Sequence, residues 1–162
     1  MKLVQFYRGE IPNNEGIFFK DILEFSNYQL EAEHSFIQWV FPLKEQSAFN
    51  PDAPLLTDEE ITLFRNVFYL NLKLVAATRR MMYFYGMQIS SEKNVSFVNE
   101  DLPSWLRDFN HNFLRMTRIL KSLRYLGEER LSQNIFECLK EHQSFWQESY
   151  DFWYDAVFKP LP

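Results

Sequence analysis

The sequence predicts an all-α fold, a bundle of about five or six helices around a long central one. Three observations lead there. Apolar residues recur at three- and four-residue spacing along most of the chain. Glycine is rare, with 4 copies in 162 residues, against a turn-rich β fold. Hydrophobic residues make up 46% of the chain, with 17 phenylalanines, enough to fill the core of one domain over residues 1–162.

The elements follow in order. Residues 1–14 read as an extended arm turning at Pro12-Asn13-Asn14. A short helix follows, with Phe18, Ile22 and Phe25 on one face. Ser26 or Asn27 can cap the next helix, which carries Leu30, Ile37 and Phe41 and stops at Phe41 or Pro42. The connector "KEQSAFNPDAP" is expected to be ordered, with Phe49 anchoring it to the bundle. Thr57 and Glu60 form a capping box that opens a helix of roughly 29 residues, closed by Gly86. It carries two stripes, one with Phe64, Phe68, Leu72 and Val75 and the other with Leu70, Leu74, Ala77 and Met81, which predicts neighbours on both faces. Residues 87–103 break the pattern as a loop or short hairpin. Ser104 can cap a helix from Trp105 to about Tyr125, with Leu106, Phe109, Phe113, Met116, Leu120 and Leu123 buried and Gly127 at its end. Two further helices, or one that bends, complete the chain, and residues 142–162 form an aromatic C-terminal helix.

Net charge is -5 and the pI about 5.2. That disfavours nucleic acid and anionic membrane surfaces as partners. No apolar run is long enough to span a bilayer. The opening "MKLVQFYRGE" lacks the apolar stretch of a signal peptide. A single cysteine, Cys138, leaves no internal disulfide and suits a reducing compartment. A cytoplasmic location is expected, with the nucleus as a further option in a eukaryote.

Several residues are candidates for a site. His34 lies four after Leu30 and three before Ile37, on or beside a buried stripe. It is either a core histidine with satisfied ring nitrogens or a pocket-lining acid, base or donor. It is expected to be buried, neutral and close to arginines. Arg79 falls four after Val75 and seven after Leu72, within an apolar stripe. A buried guanidinium there requires a partner. Arg107, His111, Arg115, Arg118 and Ser122 share the face opposite the buried stripe of their helix, with Asn112 at its boundary. On a solvated face such charges are ordinary; if helices pack on both sides, they line an inner cleft able to hold a phosphate or carboxylate. The pairs Glu31/His34 and Asp108/His111 have the spacing of di-metal helical sites but lack the further inward carboxylates, so no metal or cofactor is expected. Phe145, Trp146, Tyr150, Phe152, Trp153, Tyr154 and Phe158 are core packing, or else a dimer face or peptide groove.

The blocks "FYRGEIP", "FSNYQLEAEHSFIQWVFPLKEQSAFNPDAPLLTDEEI", "FYGMQI" and "NFLRMTRILKSLRYLG" resemble the conserved domain of the opioid growth factor receptor family, in the family's order, over about residues 5–140. Ile37-Gln38-Trp39 to Pro42 and Leu114-Arg115 to Leu120 are the specific parts, and Gln38 joins the candidate ligand-binding residues with the first of them. The resemblance reads the chain as a minimal, stand-alone member. It implies an intracellular domain, which in the vertebrate receptors belongs to a nucleus-associated protein that binds an enkephalin peptide.

Two functions are compatible with these residues. The first is a non-enzymatic module that binds a peptide, a partner helix or a small anionic ligand in an inter-helix groove, through His34, Gln38, Arg79, His111, Asn112, Arg115 and Arg118. A homodimer through the aromatic C-terminal helix is a further expectation. The second is a small enzyme acting on an anionic substrate, with His34 or His111 as acid/base and Arg79, Arg115 and Arg118 as the clamp.

Overall fold

The computed structural model describes every residue from Met1 to Pro162. The fold is all-α, with nine α-helices, one two-stranded sheet and three short 3-10 turns. The chain divides into two compact units, Met1–Arg80 and Met81–Pro162. No helix is long and apolar enough to cross a membrane.

In the first unit, residues 1–14 are not an extended arm. They begin with a helix, α1 (Lys2–Arg8), because Leu3, Val4, Phe6 and Tyr7 place one apolar face inward. Gly9 ends it at φ 79°, and the N–H groups of Gly9 and Glu10 return to Phe6 and Gln5 carbonyls. Then come α2 (Phe19–Glu24), α3 (Asn27–Ala32) and α4 (Ile37–Val40). Ser26 caps α3, its hydroxyl accepting from the Gln29 N–H while the Gln29 side chain accepts from the Ser26 N–H.

The helix expected to run from Ser26 to Phe41 is therefore two pieces. A continuous helix would set Trp39 half a turn away from Leu30. The break at residues 33–36 lets both be buried, Leu30 at 0% and Trp39 at 3% exposure.

The long helix is divided as well, into α5 (Asp58–Asn66) and α6 (Phe68–Phe84). Val67, with φ -98° and ψ 103°, is extended and resets the helical phase. Phe64, Leu70, Leu74 and Ala77 stay buried, whereas Phe68 and Leu72 are turned outward.

Tyr7 is the centre of this unit. Its ring packs on Phe19 and Phe64 with centroids 4.5 and 4.7 Å away, and its hydroxyl donates to the Val40 carbonyl at 2.5 Å. Burial pushes the phenol pKa well above its ordinary value. Glu60 is 1% exposed. It closes the capping box on Thr57, and its Oε1 also accepts from the Leu3 N–H at 3.0 Å, 57 residues away. One carboxylate thus serves the free N-terminal donors of two helices.

The connector between α4 and α5 is tied down by polar contacts. Leu56 N–H bonds the Leu43 carbonyl, and Ala53 and Leu56 are buried. Phe49, expected as the anchor, is 81% exposed; Ser47 and Asn50 hold the loop instead.

In the second unit, Gly86 leaves α6 at φ 80° and leads into an antiparallel hairpin of β1 (Met87–Ile89) and β2 (Val95–Phe97), with Met87 opposite Phe97. Lys93 sits at the turn with φ 65°, its ammonium 2.7 Å from both oxygens of the buried Glu128. Asn134 donates to its carbonyl, so the hairpin is pinned to the following helix. A 3-10 turn at Ser104–Leu106 precedes α7 (His111–Tyr125), which is followed by α8 (Glu129–Lys140), two further 3-10 turns and α9 (Tyr150–Phe158). Helix α7 packs against both α8 and α9. Trp153, at 0% exposure, donates its indole N–H to the Phe113 carbonyl. Cys138 is buried in α8, and burial, together with the Glu141 charge, pushes its thiol up to about 12.

Candidate functional site

An aromatic-walled groove lies in the second unit, ahead of α7. Asn110 creates it. Its side-chain oxygen caps α7 by accepting from the Asn112 N–H at 2.9 Å. Its amide nitrogen donates to the Trp105 and Asp108 carbonyls at 2.8 and 2.6 Å. These bonds hold Arg107, Asp108 and Phe109 at the surface. The Phe109 ring, 65% exposed, stacks on Phe113 at 5.3 Å. Phe113 is buried against Trp105 and Trp153.

The opposite wall is the segment between α8 and α9. Trp146 is fixed by its indole N–H to the Leu139 carbonyl and by its ring on Trp153 at 4.5 Å. Phe145 is 53% exposed beside it. The two walls enclose about 290 Å³, with Arg107, Asp108 and Glu148 adding both signs of charge. Aromatic walls with serines, Gln147 and charged groups between them suit one or two side chains of a longer ligand.

The candidate residues of α7 lie on the polar side of that helix, part of which is nonetheless buried. Asn112 and Arg115 are buried at 3% and 5% exposure. Asn112 accepts from the Tyr85 hydroxyl at 3.1 Å. His111 and Arg118 are half-buried. His111, Asn112, Arg115 and Arg118 are thus brought together by a single helix, while Arg107 lies outside it on the groove.

His34, Gln38 and Arg79 belong to the first unit. His34 is exposed in the linker between α3 and α4, which corrects the expectation of burial; the break that buries Trp39 takes His34 out of the helix. Gln38 is buried and holds the connector, donating to the Ser47 hydroxyl and accepting from the Asn50 amide, each at 3.4 Å. Arg79 is exposed, again against expectation, because the break at Val67 rotates α6.

Its neighbour Arg80 is directed inward instead. It donates to the Phe25 carbonyl at the end of α2 and to the Asn27 side chain, at 2.6 and 2.9 Å. Lys73 likewise donates to the Tyr7 carbonyl of α1, and lies over the Phe19 and Tyr69 rings. In the second unit Arg124 donates to the Ala156 and Lys159 carbonyls at the end of α9, both at 2.8 Å. Burial lowers the pKa of that guanidinium, with Glu129 opposing the shift. These three cations satisfy helix C-termini. Helical spacing carried no signal for them, since their partners are remote in sequence. The groove did leave one signal: Asn110 before a helical pattern is an N-cap, which separates Phe109 from the stripe it was assigned to.

No group of three His, Cys, Asp or Glu side chains is arranged to hold a metal ion.

Residues 1–150 match the opioid growth factor receptor conserved region. The chain is 36% identical to the mouse opioid growth factor receptor, over 95% of its own length and 26% of that protein's. It is 39% identical to the human receptor, over 85% and 21% of the two chains. It is 37% identical to opioid growth factor receptor-like protein 1 of Xenopus tropicalis, over 78% and 26%. The matched region is about a quarter of these relatives. No solved structure matches. The chain therefore belongs to the opioid growth factor receptor conserved-region family.

Proposed function

We propose that the chain is a peptide-binding module, which takes an aromatic or apolar anchor residue of its ligand into the groove between Phe109 and Phe145. One observation carries this reading: two large aromatic side chains, 65% and 53% exposed, bracket a preformed concavity whose lining mixes Phe113 and Trp146 with serines, Gln147 and charged residues. Aromatic anchors in such grooves dominate peptide affinity. The volume, about 290 Å³, is at the small end for a ligand pocket, which favours an anchor residue over a whole metabolite. The names of the relatives, receptors for an opioid growth factor, support a peptide over an anionic small molecule. Arg107 on one wall and Asp108 and Glu148 nearby suit a ligand carrying both a carboxylate and an amine.

Fluorescence anisotropy with a labelled enkephalin peptide tests this. Binding should weaken at least about tenfold in Phe109→Ala and in Phe145→Ala, about 1.4 kcal/mol for each. Failure to bind, or binding indifferent to both substitutions, overturns the proposal.

A further inference from the structure

The β1–β2 hairpin lies along one face of α8. Asn134, Cys138 and, just past the end of the helix, His142 recur every four residues, and each holds part of the hairpin. Asn134 donates to the Lys93 carbonyl at 2.8 Å. The Cys138 sulfur accepts from the Phe97 backbone N–H. The His142 ring meets the Phe97 ring edge-on, with centroids 4.8 Å apart. At the start of α8, Glu128, 5% exposed, holds the Lys93 ammonium with both oxygens at 2.7 Å.

Apolar burial adds little to this attachment. Within residues 87–97 only Met87 is buried, and each strand is three residues long. A two-stranded hairpin of that length is not stable alone. A segment with few buried apolar contacts opens locally. Gly86, at φ 80°, and the exposed residues 98–101 flank the hairpin and can absorb the movement. Lys93 is the one non-glycine residue with a positive φ, 65°. Glycine or asparagine takes that conformation at lower cost in a hairpin turn. The ammonium on Glu128, rather than the backbone, accounts for a lysine there.

We propose that the hairpin is a strap that opens locally over Cys138, and that Lys93 and Glu128 form its latch. Closed, β2 covers the thiol, which is 4% exposed and is the only one in the chain. Open, the sulfur meets solvent and can react. A group attached to the sulfur takes the place of the Phe97 backbone, so the adduct keeps the strap open. Removing the Lys93 charge destabilises the closed state selectively, because water reaches the Glu128 carboxylate once the strap lifts. The proposal does not depend on the peptide-binding groove: Lys93, Glu128, Asn134 and Cys138 are not among its lining residues.

The test is the reaction of the folded full chain with dithiobisnitrobenzoate. The Cys138 thiolate attacks the reagent's disulfide, forming a mixed disulfide and releasing one thionitrobenzoate anion, while the thiol proton goes to solvent. Lys93→Gly suits the turn better yet removes the latch, and should react at least about tenfold faster than the unaltered chain. Lys93→Arg keeps the charge and should retain most of the protection. Asn134→Ala frees only the Lys93 carbonyl and should accelerate the reaction by a smaller factor. Below the unfolding transition these rates should rise only slightly with urea, because local opening exposes little surface. The labelled chain should lose hydrogen-exchange protection at the Phe97 amide while α7 stays protected. The proposal is overturned if Lys93→Gly reacts no faster than the unaltered chain. It is also overturned if the rate in every variant climbs with urea as steeply as global unfolding, since the thiol would then be uncovered only by loss of the whole fold.

Discussion

Glu60 is the side chain whose removal should expose most about how the first unit is held. It is 1% exposed, and its two oxygens take the Leu3 N–H, the Thr57 N–H and the Thr57 hydroxyl. Glu60→Ala removes half of the capping box on α5, about 1 kcal/mol. It also leaves the Leu3 N–H buried without an acceptor, about 1–3 kcal/mol. The sum is about 2–4 kcal/mol, or roughly 5–15 °C in Tm for a chain of this size. Glu60→Gln keeps one carbonyl oxygen but turns an amide donor toward a donor, for about 1–2 kcal/mol. Thr57→Ala touches only the α5 cap and should cost about 1 kcal/mol.

The order is therefore Glu60→Ala, then Glu60→Gln, then Thr57→Ala. Urea denaturation gives the stabilities, and hydrogen exchange at the Leu3 amide reads the inter-helix bond directly. The Leu3 amide should exchange much faster in Glu60→Ala and unchanged, relative to global stability, in Thr57→Ala. If Glu60→Ala costs no more than Thr57→Ala, with Leu3 still protected, the carboxylate does not join the two helices and the reasoning fails.

Two further predictions concern buried and half-buried charge. Cys138 has a folded pKa of about 12 against an ordinary 9.0, so the folded protein holds its thiol proton longer than the unfolded chain does. Its stabilising contribution is complete below pH 9 and is lost as pH rises toward 12, at no more than about 1.4 kcal/mol per pH unit. Above about pH 10 the buried Tyr7 phenol adds a loss of the same sign. Alkaline urea curves of Cys138→Ala should show a shallower slope from pH 9; an unchanged slope refutes the account. Arg80→Ala should cost roughly 1–2 kcal/mol by releasing the Phe25 carbonyl, whereas Arg79→Ala, on an exposed side chain, should cost under about 1 kcal/mol. Equal effects in thermal melts would contradict the assignment of Arg80 as the structural cation.

Local signals were legible in the sequence and tertiary ones were not. The Thr57/Glu60 box, the Ser26 cap, and the ends at Gly86 and Gly127 all rest on contacts within a few residues, and each was readable. So were Phe113, Met116, Leu120 and Leu123, which repeat on one face of an unbroken helix. Errors began where periodicity was extended through a break. Val67, Glu33 and Asn110 each interrupt a helical pattern, and the residues beyond them change face. That moved Phe68, Leu72, Arg79, His34 and Phe109 from expected burial to the surface. For α7, the presence of a polar side with His111, Asn112, Arg115 and Arg118 was readable. Its partial burial rests on neighbours remote in sequence, such as Tyr85 on Asn112, which spacing within one helix does not encode.

The expectation that a cation within an apolar pattern needs a designated partner was sound physics attached to the wrong residue. Lys73, Arg80 and Arg124 are such cations, and their partners are the carbonyls that end α1, α2 and α9. A helix C-terminus offers partial negative charge and unpaired acceptors, so a lysine or arginine there costs less to desolvate than an unpartnered one. This has a functional consequence for an acidic chain. Cations committed to backbone carbonyls are poorly placed to clamp an anionic ligand. Arg107 is different: it is exposed on the groove and has no ion-pair partner. Arg107 is therefore the cation at the groove left free to meet a carboxylate of the proposed ligand. Raising ionic strength should therefore weaken binding of a carboxylate-bearing peptide at the groove, and should do so less in Arg107→Ala; equal salt dependence of the two in fluorescence anisotropy would refute the role of Arg107.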